Sequence, residues 1–318
     1  MNRLDVIYIG HLAKDRIVIG GDATTATGGA VFYGGLVVRR LGLQVGVVTR
    51  LAQHDFPLLD KLRDAGIQVF PIPAEDTSGI ENVYPDPQSD RRVCHPLGFA
   101  GTFQAQDLPP VEARLFCVGP IMPDEVDLSF LQTVAGRGPL ALDAQGCLRK
   151  RVGDEVITAE WSWAEEALAL VQYLKVDDRE ALALTGDEDH RRAAERLAAW
   201  GPKEVVLTRQ EGVLVLAEGQ FHAAPFRPRS LAGRTGRGDS CFAAYLGRRL
   251  LGDVPKEAVE FAAELTTMKL EQPGPFRGSI VDVLKSRASR ETLSLGAEPR
   301  GSDATNTPDD TSQGPCEL

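Results

Sequence analysis

A glycine-rich turn leads directly into a predicted helix at residues 233–251, which read GRTGRGDSCFAAYLGRRLL. Phe242 and Tyr245 follow the turn at helical spacing and predict one apolar helix face. The turn therefore ends at a helix N-terminus, where backbone N–H groups and the helix dipole attract a phosphate or a developing negative charge. Gly236 and Gly238 allow the backbone to approach such a group closely. The segment predicts an anion site made of backbone.

Asp239 stands at this junction, and the residues alone leave two roles open for it. As an N-cap it would accept hydrogen bonds from the N–H groups that follow, which stabilises a helix by about 1 kcal/mol. As a general base it would take the proton of a substrate hydroxyl while the neighbouring N–H groups hold the phosphoryl charge. The segment alone does not distinguish these roles, and the rest of the sequence is needed to choose between them.

On both sides of this segment, short β-rich runs alternate with helical patterns. Strands that are apolar on both faces and separated by helices indicate a mostly parallel sheet covered on both sides, in an α/β fold. The predicted strands are 6–10, 44–50, 67–72, 115–120, 139–144, 171–176 and 204–209, and the predicted helices are 29–42, 55–66, 127–136, 161–169 and 187–200. Two segments, at about 11–20 and 79–100, lack crossover helices and predict a small β-lid.

The overall composition excludes several classes of protein. The chain has 318 residues and a formal net charge of −10, whereas a general nucleic-acid binder needs a surplus of Lys and Arg. The N-terminus turns charged too early for a signal peptide, and no apolar run is long enough to span a membrane, so we expect a cytoplasmic protein. Five cysteines without CxxC spacing indicate neither a disulfide framework nor a zinc site.

Composition also divides the chain into a domain and a tail. Residues 1–286 carry the alternating pattern and are predicted to form one domain. From 287 to 318, Ser, Thr, Asp, Gly and Pro dominate and large apolar residues are few. Such a segment buries too little surface to offset its ordering entropy, so we expect a disordered tail.

The motif TGRGDSCF at 235–242 resembles the signature of the ribokinase-like (PfkB) carbohydrate kinase family, in which Thr-Gly-Ala-Gly-Asp opens a helix. The resemblance spans about residues 4–285. Its other matches, in order, are IGHLAKDRIVIGG (9–21), TGGAVFYGG (27–35), KVDDREALALTG (175–186), VVLTRQEGVLVL (205–216) and KLEQPGPFRGS (269–279). It implies a ribokinase-like three-layer α/β/α fold and an enzyme that transfers the γ-phosphoryl of Mg-ATP to a hydroxyl of a small sugar, cyclic polyol or nucleoside.

The resemblance also assigns roles to particular residues. The general base is Asp239, and the anion hole is Gly236, Arg237 and Gly238. The substrate contacts are Asp15, Gly28, Gly29, Tyr33, Asn82 and Arg92. The ATP contacts are Lys175, Thr208, Gly212, Thr235 and Gly274, and the residues that organise Mg²⁺ are Glu180 and Asp177.

Some residues depart from the family pattern. Tyr33 stands where the family has Asn and, with DAQGCLR at 143–149, resembles an inositol-kinase-like branch. Gly233 and Arg234 stand where many members have Asp-Thr, which helps to form a monovalent-cation site, so potassium activation stays open. Arg237 replaces an Ala and adds a cation beside the backbone donors.

Other functional classes are weighed against the kinase. A nucleotide- or sugar-binding regulatory protein could keep the fold without turnover, but the intact Gly236-Arg237-Gly238-Asp239 argues against it. A nicotinamide dehydrogenase needs G-x-G-x-x-G after its first strand, and IGHLAKDR does not supply it. The expected partners are a small-molecule substrate and ATP, without nucleic acid or membrane, and the β-lid is a candidate surface for homodimer formation.

Overall fold

Strands and helices alternate in the part of the chain that this computed structural model describes, residues 3–85 and 93–295, with side chains to residue 290. The strands are β1 (Leu4–Ile9), β2 (Ala13–Ile19), β3 (Asp22–Gly28), β4 (Val45–Ala52), β5 (Gln68–Ala74), β6 (Gly79–Tyr84), β7 (Val93–Gly98), β8 (Ala113–Val118), β9 (Leu140–Asp143), β10 (Arg149–Val152), β11 (Glu155–Thr158), β12 (Tyr173–Asp177), β13 (Glu204–Thr208), β14 (Gly212–Ala217) and β15 (Gln220–Pro225). The α-helices are α1 (Ala30–Arg40), α2 (Asp60–Asp64), α3 (Leu128–Ala135), α4 (Ala164–Leu168), α5 (Asp178–Thr185), α6 (His190–Ala199), α7 (Arg237–Leu251), α8 (Pro255–Leu270) and α9 (Ile280–Leu295).

The large central sheet is mostly parallel, as predicted. Its strand order within the described residues is β15-β14-β13-β12-β9-β8-β1-β4-β5. The strands from β13 to β5 run parallel to one another. Within the described residues, the antiparallel pairs of this sheet are β13–β14 and β14–β15, at one edge. The carboxyl ends of the parallel strands consequently meet at one edge, which is where open α/β sheets bind ligands.

Both faces of the central sheet are buried. In β1, Val6 and Tyr8 pack into a core shared with α1, α7 and α8, whereas Ile7 and Ile9 face a second core that includes α3, α4 and α6. Alternate side chains of a strand point to opposite faces, so a strand covered on both sides has to be apolar throughout. The result is the predicted three-layer α/β/α arrangement, with each large apolar side chain stabilising it by roughly 1.5–3 kcal/mol.

A second, four-stranded sheet forms the predicted β-lid, in the order β3-β2-β6-β7. Hairpin β2–β3 turns at Gly20 and Gly21, whose φ values of 59° and 91° suit a tight two-residue turn. Strand β3 was not predicted, because the polar run DATTATG lacks the apolar alternation of a half-buried strand. Homodimer formation through this lid stays a prediction.

Helix α9 corrects the predicted boundary of the tail. The helix continues to Leu295, nine residues beyond the predicted boundary at 286. Arg287 forms an ion pair with Glu260, and Arg290 forms one with Glu264 at 2.9 Å, so α9 is attached to α8. These contacts join residues far apart in the chain, and composition does not reveal them. The remaining tail, 296–318, lies outside the described residues.

None of the helices within the described ranges has both the length and the apolar character that a membrane span requires.

Candidate active site

A polar cleft of about 240 Å³ lies at the carboxyl ends of the central strands, beside the β-lid. Lys175 and Asp177 reach it from the end of β12, and Thr208 from the end of β13. The described residues that line the cleft are Asp15, Gly29, Tyr33, Ile80, Asn82, Tyr84, Ile121, Gln145, Arg149, Lys175, Asp177, Asp178, Arg179, Thr208, Gln210, Arg234, Thr235, Gly236, Arg237, Gly238 and Asp239.

The first turn of α7 borders this cleft. Gly236 is the N-cap, with φ 78° and ψ 17°, and the helix begins at Arg237. This left-handed conformation costs other residues about 1–2 kcal/mol, which accounts for a glycine here. Asp239 lies inside the first turn, so the alternative in which it is the N-cap is wrong. The positive end of the helix dipole therefore faces the cleft, with Asp239 beside it.

Asp239 has an elevated pKa. Burial raises it, and the negative charge of Asp143 adds to the effect, while Lys175, Lys269 and Arg149 oppose it, leaving the pKa at about 6. Near neutral pH the carboxylate is mostly ionised, yet it binds a proton more readily than an ordinary aspartate. A perturbed carboxylate in a cleft has the properties expected of a general base.

Lys175 is a buried cation held between two carboxylates. Its Nζ lies 3.0 Å from Asp143 Oδ1 and 3.5 Å from Glu180 Oε2, and the residue is only 3% exposed. Burial alone would lower the pKa of Lys175, but the carboxylates raise it overall, so the ammonium stays charged. Lys175 thus contributes a fixed positive charge to the floor of the cleft.

Asp177 and Glu180 form a capping box at the start of α5. The Asp177 carboxylate accepts a hydrogen bond from Glu180 N at 2.8 Å, and the Glu180 carboxylate accepts one from Asp177 N at 2.7 Å. Burial raises the pKa of Glu180, and the nearby Lys175 opposes that shift. Asp177 lines the cleft, whereas Glu180 is buried and is not one of its lining residues.

The predicted magnesium ligands fit the chemistry of that ion only if the phosphate groups of a bound phosphoryl donor supply further ligands. No group of three or more His, Cys, Asp or Glu side chains in the described ranges is arranged to hold a metal. Mg²⁺ typically keeps several waters and takes one or two carboxylates together with phosphate oxygens. Asp177, at the edge of the cleft, is consistent with such a site, and the metal roles of Asp177 and Glu180 stay predictions.

On the lid side, Asp15 ties β2 to β6. Its Oδ1 accepts a hydrogen bond from Ile80 N at 2.9 Å, and Asn82 lies in the same strand as Ile80. A β-carbon at Gly28 would collide with the Asp15 carboxylate, and one at Gly29 would collide with the carbonyl of His11. Gly29 also has φ 92°. The two glycines therefore allow the close packing that places Asp15 at the cleft.

Most of the predicted site residues meet at this cleft, but some do not. Gly28, Gly212 and Gly274 lie outside the cleft lining, although Gly28 packs against the Asp15 carboxylate. Arg92 lies outside the described residues. Glu180 also lies outside the lining. The roles predicted for all of the site residues, inside the lining or outside it, stay predictions.

Several cleft residues were not predicted from the sequence. Gln145 follows β9, and Arg149 is the first residue of β10. Arg179 lies in the first turn of α5, directly after β12, and Gln210 lies in the loop between β13 and β14. Their position just beyond the carboxyl ends of parallel strands was a usable signal. Lys269 was missed because it reaches the glycine turn from α8, a contact that only the fold creates.

Comparisons with known proteins identify the family. The family model described as pfkB family carbohydrate kinase matches residues 11–279. The cytidine kinase of Thermococcus kodakarensis is 28% identical over 285 residues, which cover 85% of this chain and 98% of that protein. A solved pyrophosphate-dependent kinase of the ribokinase family, in complex with a pyrophosphate analog and myo-inositol, is 32% identical, with a TM-score of 0.81 and coverage of 88% of this chain and 99% of that one.

A more distant structure confirms the ribokinase-like fold. A ribokinase of Arabidopsis thaliana, solved with ribose and ATP, is 18% identical, with a TM-score of 0.69 and coverage of 90% of this chain and 99% of that one. At that identity the likeness shows the fold alone. The match at 11–279, however, takes in the lid, every strand of the parallel sheet except β1, and the glycine turn before α7. The chain belongs to the pfkB family of carbohydrate kinases, and it is a kinase.

Proposed function

We propose that the protein transfers the terminal phosphoryl group of a magnesium-bound donor to a hydroxyl of a small cyclic polyol, sugar or nucleoside, with Asp239 as the general base. The observation that carries the proposal is the position of Asp239 in the first turn of α7, within a polar cleft and with a pKa of about 6. A base in this position can take the hydroxyl proton, and helix N–H groups beside it can hold the phosphoryl charge.

In the proposed reaction, the acceptor hydroxyl gives its proton to the Asp239 carboxylate as its oxygen forms a bond to the terminal phosphorus of the donor. The bond between that phosphorus and the bridging oxygen breaks, and ADP leaves from ATP, or orthophosphate leaves from pyrophosphate. The backbone N–H groups of Gly236, Gly238 and Asp239 and the guanidinium of Arg237 hold the charge on the transferred group, so little reorganisation is needed. The Arg237 N–H instead donates to the Arg234 carbonyl at 3.3 Å. Mg²⁺, bound with the donor at Asp177, would neutralise charge on the phosphate oxygens. The lid residues Asp15 and Asn82 orient the acceptor through its other hydroxyls.

For the acceptor, we propose a cyclic polyol first and a nucleoside second. The acceptor half of the cleft combines the hydrogen-bonding side chains of Asp15, Asn82 and Gln145 with the ring of Tyr33. Several hydrogen-bonding groups beside one flat aromatic ring suit a compact molecule with many hydroxyls. The similar solved kinase was bound to myo-inositol, and the curated relative is a cytidine kinase, so both classes belong in the screen.

For the donor, the family resemblance favours ATP, and one observation favours pyrophosphate as a second candidate. Four arginines are among the residues that line the cleft, Arg149, Arg179, Arg234 and Arg237. Two predicted nucleotide contacts, Gly212 and Gly274, lie outside that lining. Arginines recognise phosphate groups by charge and bidentate hydrogen bonding, whereas a nucleotide base also needs an apolar surface. A similar solved kinase is pyrophosphate-dependent, so pyrophosphate should be tested beside ATP as the donor.

A crossed screen of donors and acceptors tests the proposal. The purified protein is incubated with Mg²⁺ and either ATP or pyrophosphate, and with myo-inositol, cytidine or ribose. Phosphorus NMR and mass spectrometry then detect a phosphorylated acceptor, which separates transfer from simple hydrolysis. We expect one donor and one acceptor class to give a phosphate monoester. A protein that binds a donor but phosphorylates none of these acceptors would instead favour the regulatory alternative.

A further inference from the structure

Lys269 is a buried cation that contacts the glycine turn from another helix. It lies in the last turn of α8 and is 2% exposed. Its Nζ donates hydrogen bonds to the backbone carbonyls of Gly233 and Thr235. The same Nζ lies 5.3 Å from the centroid of the Tyr33 ring, within the range of a cation–π contact. The ammonium therefore connects α8 with the ring of Tyr33 and with the turn before α7.

The turn is also tied to α8 through its backbone. Gly233 N donates a hydrogen bond to Leu270 O at 2.8 Å. A β-carbon at position 233 would collide with the carbonyl oxygens of Gln272 and Lys269, so glycine is required for this approach. Lys269 thus adds side-chain hydrogen bonds to the backbone contact that holds the turn against the C-terminal end of α8. The helix dipole favours a positive charge at that end.

The geometry of the peptide bond explains how this contact reaches the anion hole. In a trans peptide, the carbonyl of one residue and the N–H of the next point in opposite directions. Holding the Thr235 carbonyl on Lys269 therefore turns the Gly236 N–H away from Lys269. Gly236 lies in the cleft lining and precedes the first turn of α7. Fixing the Thr235 carbonyl consequently fixes the direction of a backbone donor in the predicted anion hole.

We propose that Lys269 is a positioning residue whose ammonium acts as a built-in monovalent cation, holding the turn 233–236 in the conformation that binds the transferred phosphoryl group. The catalytic consequence rests on the proposed function, whereas the structural consequence for the turn does not. Two converging carbonyls are ligands that a potassium ion would also take, and Lys269 already occupies them. The protein is therefore independent of added potassium.

Two substitutions separate the charge of Lys269 from its bulk. Lys269→Ala removes the ammonium and leaves room for a small cation, whereas Lys269→Met removes the charge and fills the space. Lys256→Met, on the exposed first turn of the same helix, is the matched control. Each variant is studied in ammonium, potassium or tetramethylammonium chloride at constant ionic strength, because tetramethylammonium is too large for the vacated space.

Proteolysis reports on the turn without requiring any activity. Trypsin cleaves after Arg234 and Arg237, and mass spectrometry measures the rate at each site. We expect cleavage at least about tenfold faster than in the parent for both Lys269 variants in tetramethylammonium, since local opening exposes the bonds. Ammonium should restore protection in Lys269→Ala but not in Lys269→Met. Lys256→Met should match the parent in all three salts.

Kinetics provide the second measurement. We expect kcat of Lys269→Ala to fall at least about tenfold while the KM of the acceptor changes less than about threefold, and ammonium or potassium to restore kcat. The proposal would be overturned by unchanged cleavage of the turn in both variants, by losses that no small cation restores, or by a parent that potassium activates severalfold. A parent without turnover would refute the proposed function, and the proteolysis data would still decide the role of Lys269.

Discussion

The ring of Tyr33 packs against the α-carbon of Gly236, so closely that a β-carbon at position 236 would overlap the ring. Tyr33 is 3% exposed and belongs to α1, whereas Gly236 is the N-cap of α7. The contact joins the wall of the predicted acceptor pocket to the start of the predicted anion hole. The packing of the Tyr33 ring on Gly236, which has no side chain, therefore sets the distance between the predicted acceptor pocket and the predicted anion hole.

Gly236→Ala tests this contact. The substitution places a methyl group against Tyr33 and puts a non-glycine residue at φ 78°. Gly219→Ala is the control, because Gly219 has a similar φ of 73° but open space around it. Urea denaturation should show a loss of about 1 kcal/mol for the control and at least about 2 kcal/mol for Gly236→Ala. Equal losses would mean that the ring contact adds no constraint.

Glu180→Gln tests the predicted link between the capping box and magnesium. Gln keeps the shape and can still accept the hydrogen bond from Asp177 N, but it removes the charge beside Lys175. We expect the Mg²⁺ concentration for half-maximal activity to rise by about tenfold or more, as for groups that orient a metal ligand. Asp187→Asn, at an exposed ion pair with Arg196, is the control. An unchanged Mg²⁺ dependence would remove Glu180 from this role.

The pH dependence of kcat/KM should have two limbs. Asp239 acts as a base only when ionised, so activity should fall as the pH drops below about 6. Burial lowers the pKa of Lys269 to about 8, with Asp239 opposing and Arg237 reinforcing the shift. Activity should therefore also fall above about pH 8, and this limb should be absent from the residual activity of Lys269→Met. A flat profile between pH 5 and 9, measured at about saturating Mg²⁺, would contradict both assignments.

Two truncations test the corrected boundary of the domain. A chain that ends at residue 286 loses the ion pairs of Arg287 and Arg290 with α8, so its melting temperature should fall by several degrees. A chain that ends at residue 295 keeps α9, and the removed segment is poor in large apolar residues, so its melting temperature should match that of the full chain. Equal melting temperatures for both truncations would show that α9 adds no stability.

The sequence predicted those parts of the fold and the cleft that depend on local patterns. Apolar runs between helical patterns identified the parallel strands, and the glycines at 236 and 238 marked a turn into α7. Asp177 and Thr208, which the family resemblance had assigned to the site, are the last residues of β12 and β13 and line the cleft. These predictions succeed because strand alternation and helix starts are encoded within a few neighbouring residues.

Contacts between distant residues could not be predicted in this way. Lys269 entered the sequence comparison only as the first residue of the matched segment 269–279, yet its ammonium donates a hydrogen bond to the carbonyl of Thr235, which lies 34 residues earlier. Asp143 and Lys175 form a buried pair across β9 and β12. No local pattern distinguishes these charges from solvated ones, because their partners are set by sheet order and helix packing. The same reason explains why the tail boundary predicted at 286 falls inside α9.

Asp239→Asn tests the central claim most directly, with melting temperature, donor affinity and turnover measured on one preparation. Asn keeps the size of the side chain, and the lost favourable charge at the start of α7 is offset by relief from Asp143, so stability should change by less than about 1 kcal/mol. Donor binding should persist, because a negative side chain does not attract phosphate. Turnover should fall by about 10²–10⁴. A variant that melts normally, binds the donor and turns over within about threefold of the parent would remove Asp239 from the mechanism.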